Sequence, residues 1–266
     1  ARFSSSLEQS GGLQSMSKAD QLYKTPFEEI SDFRFDKGVV EVFEDMIERS
    51  VPGYSAILGM TGELAKQFSI ANTKIYDLGC SLGGSSFSIA QQKMPEGVSL
   101  VAIDNSEAMI EKLNLKLAEQ QNLKLPIEVR LQDIQEVDFQ PSSFVVMNFT
   151  LQFVALEERL GLIQKIYDSL VPGGALLLSE KIKFADSEMD QQIVDLYHSF
   201  KKSMGYTELE ISQKRTALEN ILLPETSETH STRMANCGFT QVAPWFQCFN
   251  FCSFLAIKPG GESKNV

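Results

Sequence analysis

Lys74–Ser86, KIYDLGCSLGGSS, joins a short apolar strand, an aspartate, a glycine-rich turn and the start of a helix. Ile75 and Tyr76 favour a strand, and the glycines that follow permit a tight reversal with close backbone approach. The residues from Ser85 onward predict a helix. Such a corner binds nucleotides, because free amides at the helix start point into the crevice. The stretch therefore predicts a βαβ unit with a nucleotide-like ligand.

The chain has 266 residues, and the first fifteen, ARFSSSLEQSGGLQS, are expected to be an added leader. They are poor in hydrophobic residues and stop just before Met16, the expected native start. Residues 16–266 are expected to form a single α/β domain, since about 250 residues suffice for one large core. No apolar run approaches the length of a membrane span, and no signal peptide is visible. The protein is therefore expected in the cytoplasm, away from membranes.

The composition narrows the classes of function. Four cysteines have no C-x-x-C spacing and are expected to be free thiols in a reducing compartment: Cys80, Cys237, Cys248 and Cys252. The two histidines, His198 and His230, lack partners at metal-ligand spacing, so no metal is expected. The formal net charge of −11 favours a small-molecule substrate, with no direct nucleic-acid binding required.

Apolar segments alternate with helical patterns along the middle of the chain. The predicted strands are Lys74–Gly79, Ser99–Asp104, Ile127–Gln132, Phe144–Asn148 and Ala175–Glu180. Helical spacing predicts Glu107–Gln121 and Leu156–Leu170 as helices, and two more helices within residues 31–70. This alternation predicts a mainly parallel sheet with helices on both faces.

The pattern changes after Glu180. Residues 186–224 are predicted to be a helical insertion over the binding crevice. The last two strands, Phe239–Phe246 and Phe249–Lys258, are joined so closely that they require an antiparallel hairpin. The fold class is therefore α/β, with a seven-stranded, mostly parallel, Rossmann-like sheet. It resembles the class I S-adenosylmethionine (SAM) methyltransferase fold.

The glycine turn favours SAM over a dinucleotide. A G-x-G-x-x-G fingerprint placed on Gly79 has Ser81 at its second glycine, where a Cβ would crowd a pyrophosphate. SAM has no pyrophosphate, so a serine at this position is compatible with SAM. The turn therefore predicts SAM as the ligand.

Polar residues follow three more strands. Asp104 and Asn105 fit the ribose hydroxyls of SAM, Asp133 and Ile134 fit its adenine, and the methionine moiety is expected beside Asn148. Each group also has a purely structural interpretation: a helix cap for the first pair, a turn for the second and a strand end for the asparagine. Their shared position at the carboxyl ends of successive strands predicts a ligand site.

Six stretches together resemble one family. They are SVPGYSAI (Ser50–Ile57), YDLGCSLG (Tyr76–Gly83), AIDNSEAMIE (Ala102–Glu111), NFTLQFV (Asn148–Val154), ELEISQKRTALEN (Glu208–Asn220) and WFQCFNF (Trp245–Phe251). The chain is similar over nearly its whole length to the carboxy-S-adenosylmethionine synthase family. The resemblance implies that SAM is a substrate, not a methyl donor, and that prephenate supplies a carboxyl group, leaving phenylpyruvate and water. It also implies a homodimer that serves the 5-oxyacetic acid modification of tRNA wobble uridine.

The resemblance further implies a set of ligand contacts: Tyr54, Gly79, Cys80, Ser81, Asp104, Asn105, Asp133, Ile134, Asn148 and Arg215. Arg215 is the candidate catalytic residue, because an arginine fork matches a new carboxylate in two hydrogen bonds. Its alternative is a solvated charge beside Lys214, and Tyr54 could simply pack on the sheet. Whether the arginine reaches its own cavity or that of a neighbouring subunit is open.

Two other functions keep the SAM pocket. One is a conventional methyltransferase for a small molecule or tRNA, in which Arg215 has no role. The other is a non-catalytic SAM-binding subunit of a partner protein. No nucleophile and base of the kind used in covalent catalysis are visible in the sequence. Catalysis is therefore expected to depend on positioning and electrostatics, with the proton acceptor supplied by the substrate.

Overall fold

A computed structural model describes residues 18–27 and 30–260. The predicted leader at 1–15 lies outside the described residues. The strands are β1 (Lys74–Leu78), β2 (Ser99–Asp104), β3 (Ile127–Leu131), β4 (Ser142–Asn148), β5 (Leu170–Lys183), β6 (Glu225–Thr226), β7 (Gln241–Cys248) and β8 (Phe251–Ile257). The helices are α1 (Lys37–Ser50), α2 (Tyr54–Phe68), α3 (Gly84–Ala90), α4 (Glu107–Glu119), α5 (Arg159–Ser169), α6 (Ser187–Ser203), α7 (Glu208–Leu218) and α8 (Ser227–Asn236).

The main sheet has the strand order β3-β2-β1-β4-β5-β8-β7. The pairs among β1 to β5 are parallel, whereas β8 runs antiparallel to both β5 and β7. The predicted seven-stranded, mostly parallel sheet with a C-terminal hairpin is therefore confirmed. The two-residue strand β6, which pairs with the end of β5, was not predicted.

Side chains of helices cover both faces of the sheet. On one face Ile163 and Ile166 of α5 and Met234 of α8 join the strand residues in a buried cluster. On the other face Ala65 of α2 and Ile89 of α3 do the same. This is the three-layer arrangement that alternating strands and helices predict.

Two helical segments differ from the sequence prediction. Helix α5 begins at Arg159 and not at Leu156, and Leu156 is exposed while Arg159 is buried. Helix α8 was not predicted, because its sequence SETHSTRMAN has almost no apolar stripe. Its start is stabilised locally instead, since the Thr226 side chain accepts a hydrogen bond from the Thr229 amide.

The predicted insertion forms α6 and α7, and it packs against α1 and the N-terminal segment. The Tyr197 hydroxyl donates to the Ser50 carbonyl oxygen at the end of α1 (2.9 Å). The Gln213 amide group donates to the carbonyl oxygens of Tyr23 and Thr25 (both 2.9 Å). These contacts position the insertion over the carboxyl edge of the sheet, where open α/β sheets bind ligands.

Candidate active site

A cavity of about 810 Å³ lies between the carboxyl edge of the sheet and helices α1, α6 and α7. This volume is within the range of small-molecule sites. All ten predicted contacts line it: Tyr54, Gly79, Cys80, Ser81, Asp104, Asn105, Asp133, Ile134, Asn148 and Arg215. The fold therefore brings together residues that are up to 161 positions apart, from Tyr54 to Arg215.

The glycine turn after β1 has an unusual backbone. Gly79, Ser81 and Gly83 have φ values of 75°, 50° and 82°, in the left-handed region. The amides of Gly79 and Cys80 both donate to the Ile103 carbonyl oxygen of β2 (2.8 and 2.9 Å). A serine in this region costs about 1 kcal/mol or more, and such strain is concentrated at ligand sites. The turn is held rigidly against the neighbouring strand.

Asp104 joins this turn to the loop after β2. Its carboxylate accepts hydrogen bonds from the backbone amides of Ser81 and Ser106 (both 2.9 Å). The cap of α4 is Ser106, whose hydroxyl accepts from the Met109 amide. Burial raises the pKa of Asp104. A carboxylate has about four acceptor positions, so acceptor capacity remains for a ligand diol.

The loops after β3 and β4 use their polar side chains within the protein. Asp133 accepts a hydrogen bond from the Gln135 amide (2.9 Å) and so caps a short 3₁₀ turn that contains Ile134. The Asn148 side chain donates to the Ser85 hydroxyl (2.8 Å) and accepts from the Ser179 hydroxyl (2.6 Å). These are the turn and strand-end roles, performed by side chains that also line the cavity.

Tyr54, the first residue of α2, packs beside Phe149, with ring centroids 6.4 Å apart. Burial raises the pKa of its hydroxyl, which therefore stays protonated and able to donate. Gly84 permits this position, since a Cβ there would lie 3.0 Å from the Tyr54 hydroxyl oxygen. Tyr54 combines packing with a polar group at the cavity wall.

Asp77 supports the site from below. Its carboxylate accepts a hydrogen bond from the Ser86 hydroxyl at the start of α3 (2.6 Å). Burial raises the pKa of Asp77 to about 7, and nearby Asp104 adds to the increase. The same burial raises the pKa of the Cys80 thiol, which is therefore not a reactive thiolate.

The other end of the cavity is cationic. Four positively charged side chains line it: Lys181, Lys201, Lys214 and Arg215. Lys201 and Lys214 are each only 6% exposed. Burial lowers the pKa of Lys201 to about 7 and that of Lys214 to about 8, and repulsion between neighbouring cations adds to the decrease in each.

Arg215 is exposed at the edge of the cavity. Its guanidinium takes part in none of the hydrogen bonds or ion pairs found among residues 18–27 and 30–260. The neighbouring Lys214 is the buried member of the pair, and its ammonium donates to the Ser50 hydroxyl (3.0 Å). The arginine is therefore available to an anion at the cavity edge.

Sequence reasoning missed the three lysines. Lys201 and Lys202 are adjacent and look alike in the sequence, yet Lys201 is buried in the cavity wall while Lys202 forms an exposed ion pair with Glu208. The sequence could have distinguished the two lysines only if the buried face of α6 had been known, and that face depends on the segments that pack against the helix.

Among the described residues, no group of three or more His, Cys, Asp or Glu side chains could hold a metal ion. The helices described include none that is long and apolar enough to span a bilayer. All four cysteines are free thiols in the structure.

Comparison with known proteins places these features in context. A family model described as a methyltransferase domain matches residues 75–174. A protein of Vibrio cholerae serotype O1 named carboxy-S-adenosyl-L-methionine synthase is 48% identical over 243 residues, which cover 91% of this chain and 98% of that protein. A protein of the same name from Pseudomonas aeruginosa is 48% identical over 245 residues, covering 91% of this chain and all of that protein.

Solved structures share the fold at low sequence identity. A putative SAM-dependent methyltransferase of Methanococcus maripaludis is 18% identical, with a TM-score of 0.54, and the match covers 90% of this chain and 100% of that one. The magnesium protoporphyrin IX methyltransferase of Synechocystis with bound SAH is 15% identical, with a TM-score of 0.56, covering 80% and 87%. These likenesses confirm the class I SAM-methyltransferase fold.

Proposed function

The chain belongs to the carboxy-S-adenosyl-L-methionine synthase family of enzymes, and we propose that it converts SAM and prephenate to carboxy-SAM, phenylpyruvate and water. The family membership follows from relatives that are 48% identical and are covered almost completely. The observation that carries the reaction is the cationic end of the cavity, which continues from the predicted SAM contacts. A site that only transferred a methyl group would need no such cluster around a sulfonium ion.

The reaction balances without any other reagent. Prephenate loses its ring carboxyl group as carbon dioxide and its ring hydroxyl as hydroxide, and the ring becomes aromatic. The hydroxide takes a proton from the methyl group of SAM and leaves as water. The electron pair of that C–H bond stays on carbon as a sulfonium ylide, which attacks carbon dioxide and forms the new C–C bond. The charges also balance, since SAM and the prephenate dianion give neutral carboxy-SAM and the phenylpyruvate monoanion.

Arg215 is the proposed catalytic residue. Its planar guanidinium can hold the new carboxylate with two parallel hydrogen bonds, and no protein carboxylate in the described structure competes for it. Confining carbon dioxide beside the ylide is a matter of positioning, which can lower a barrier by several kcal/mol. The other nine predicted contacts would hold SAM: Tyr54, Gly79, Cys80, Ser81, Asp104, Asn105, Asp133, Ile134 and Asn148.

The glycine turn and Asp104 support SAM binding in particular. The Asp104 carboxylate keeps acceptor capacity for the ribose hydroxyls, and the Cβ of Ser81 would crowd a pyrophosphate. SAM is thus proposed as a substrate, and no metal is required by the reaction.

The wider role is the one that the family resemblance implies. We propose that this enzyme works as a homodimer in the cytoplasm. The carboxy-SAM that it makes would be used to form 5-oxyacetic acid at the tRNA wobble uridine. A single domain over 16–266 would suffice for this role, and direct tRNA binding by this chain would not be required.

One assay tests the reaction. The protein is incubated with SAM and prephenate, and the nucleoside products are followed by mass spectrometry. We expect a product that is heavier than SAM by one carboxyl group in place of hydrogen, together with phenylpyruvate. S-adenosylhomocysteine with a methylated acceptor and no carboxy-SAM would indicate a conventional methyltransferase. Binding of SAM without any product would indicate a SAM-binding subunit.

A further inference from the structure

Lys201 is a buried cation with no counter-ion among the residues that the structure describes. Its side chain is 6% exposed, and its ammonium takes part in none of the hydrogen bonds or ion pairs of residues 18–27 and 30–260. An unpaired ammonium in such a place is costly, because burial removes its hydration. The group faces the cavity, so the missing partner can be a ligand.

Two more lysines face the same part of the cavity. The ammonium groups of Lys181 and Lys201 each lie 5.2 Å from the centroid of the Tyr197 ring. Lys201 and Lys214 lie 5.8 and 5.7 Å from the centroid of the Tyr206 ring. Two aromatic rings thus hold three ammonium groups close together.

The described carboxylates that attract these lysines are engaged in other contacts. Asp45, which attracts Lys214, is paired with Arg49 (2.7 Å). Asp20 attracts Lys201 and Lys214 at a distance, but its own oxygens accept from the Tyr206 hydroxyl (2.6 Å) and the Leu22 amide (3.2 Å). Asp190 attracts Lys181, yet it accepts a hydrogen bond from the Phe184 amide (2.7 Å). The positive charge therefore remains available to a ligand anion.

We propose that Lys181, Lys201 and Lys214 form the subsite for the side-chain carboxylate of the second substrate. This assignment rests on the proposed function, in which prephenate carries two carboxylates with different fates. The ring carboxylate is lost as carbon dioxide and reappears on SAM, where Arg215 holds it. The side-chain carboxylate stays unchanged from substrate to phenylpyruvate. A fixed cluster of ammonium groups suits this side-chain carboxylate, because the carboxylate keeps its negative charge throughout the reaction.

Binding measurements on Lys201→Met test the subsite. Calorimetry is done on the protein saturated with S-adenosylhomocysteine, which has no methyl group to react, with prephenate and phenylpyruvate as separate ligands. Because the variant loses a charge-assisted hydrogen bond, its affinity for each anion is expected to be about tenfold to hundredfold lower than that of the parent. The affinity for S-adenosylhomocysteine should change less than twofold. Lys202→Met, at the exposed neighbouring position, is the matched control and should bind both anions as the parent does.

Two further results keep the test independent of folding. The melting temperature of Lys201→Met should equal or exceed that of the parent, because an unpaired buried cation has been removed. Lys181→Met should also lower the affinity for both anions, while the binding of S-adenosylhomocysteine is retained. The assignment is wrong if either lysine variant binds phenylpyruvate with an affinity within twofold of that of the parent. It is also wrong if the variants weaken the binding of prephenate only.

Failure of the reaction gives a different pattern. If the parent binds both anions in a Lys201-dependent way but makes no carboxy-SAM, the proposed function is wrong and the carboxylate subsite stands. If carboxy-SAM forms and the lysine variants bind and react like the parent, the subsite is wrong and the reaction stands.

Discussion

At the scale of single residues, Asp104 shows how one side chain organises the site. Its carboxylate binds the amide of Ser81 in the first loop and that of Ser106 in the second. The sequence left two interpretations of this residue open, a ligand of the ribose hydroxyls and part of a helix cap. The structure assigns the cap to Ser106 and leaves Asp104 with free acceptor positions toward the cavity.

Arg215→Lys is expected to lower the rate of carboxy-SAM formation at least tenfold, because an ammonium cannot form the two parallel hydrogen bonds of a guanidinium. SAM binding, measured by calorimetry, should change less than threefold, since the proposed SAM contacts are elsewhere. Arg215→Ala should reduce the product further. An unchanged product yield in Arg215→Ala, measured by mass spectrometry, would refute the catalytic role.

Glu180 gives a prediction about pH and stability. Burial raises the pKa of its carboxyl from 4.5 to about 8, so the folded protein holds a proton that the unfolded chain releases. The folded state therefore binds more protons between about pH 4.5 and 8, and stability is lost as the pH rises through this window. Glu180→Gln keeps an acceptor for the Leu151 amide and cannot ionise.

The measurement is denaturant unfolding at pH 5, 6, 7 and 8. The free energy of unfolding of Glu180→Gln should fall less steeply with pH than that of the parent, by up to about 1.4 kcal/mol per pH unit. Other buried groups, including Asp77 and Lys201, titrate in both proteins and cancel in the difference. Equal slopes for the two proteins would show that Glu180 ionises normally in the folded state.

At the scale of elements, the buried Arg159 connects α5 to the loop that follows β4. Its guanidinium donates to the carbonyl oxygens of Gln152 (3.1 Å), Val154 (3.0 Å) and Leu223 (3.0 Å). It also forms an ion pair with Glu225 (2.6 Å) in β6. Gln152 and Val154 line the cavity, so Arg159 shapes the wall although it is not itself a lining residue.

Arg159→Met is expected to lower the free energy of unfolding by about 3 kcal/mol or more, because it leaves three carbonyl groups without their donor and removes one of the two arginines that bind the half-buried Glu225. Arg233→Met is the matched control, since Arg233 binds the same Glu225 (2.6 Å) but contacts neither cavity loop. It should cost less than half as much in urea unfolding. A smaller effect of Arg159→Met than of Arg233→Met would contradict the proposed role of Arg159.

At the scale of the whole molecule, the walls of the cavity come from two parts of the fold. The sheet edge supplies the loops after β1, β2, β3 and β4, while α6 and α7 supply three of the four cations. Gln213 and Tyr206 anchor these helices to the N-terminal segment. A complete site therefore requires both the sheet and the insertion to be in place.

Hydrogen exchange should distinguish the two walls. We expect S-adenosylhomocysteine alone to slow amide exchange in the turn after β1 and at the start of α4. Phenylpyruvate added to that complex should slow exchange in α6 and α7 as well, because anion binding relieves the repulsion among the lysines. The readout is peptide-level mass spectrometry, with residues in β3 as an internal reference. Protection of α6 and α7 by S-adenosylhomocysteine alone would contradict this division.

Much of the fold was predictable because it depends on local patterns. Apolar runs at the spacing of strands predicted β1 to β5, and the short connection near Phe249 predicted the hairpin. Arg159 and α8 were not predictable in this way. An arginine in an amphipathic helix is expected at the surface. A helix made mostly of polar residues lacks the periodic apolar residues from which a helix is predicted.

The sequence by itself determined the sheet, the glycine turn at Gly79–Ser81 and the residues at the strand ends, because the carboxyl ends of parallel strands lie at one edge of the sheet. Only the tertiary structure decided that Lys201 faces the cavity while Lys202 faces solvent, and that Lys214 is buried while Arg215 is exposed at the edge of the cavity. The physical reason is that neighbouring positions on a helix point about 100° apart. Which of two adjacent cations loses its water depends on what packs against that helix, and the partners here come from distant parts of the chain.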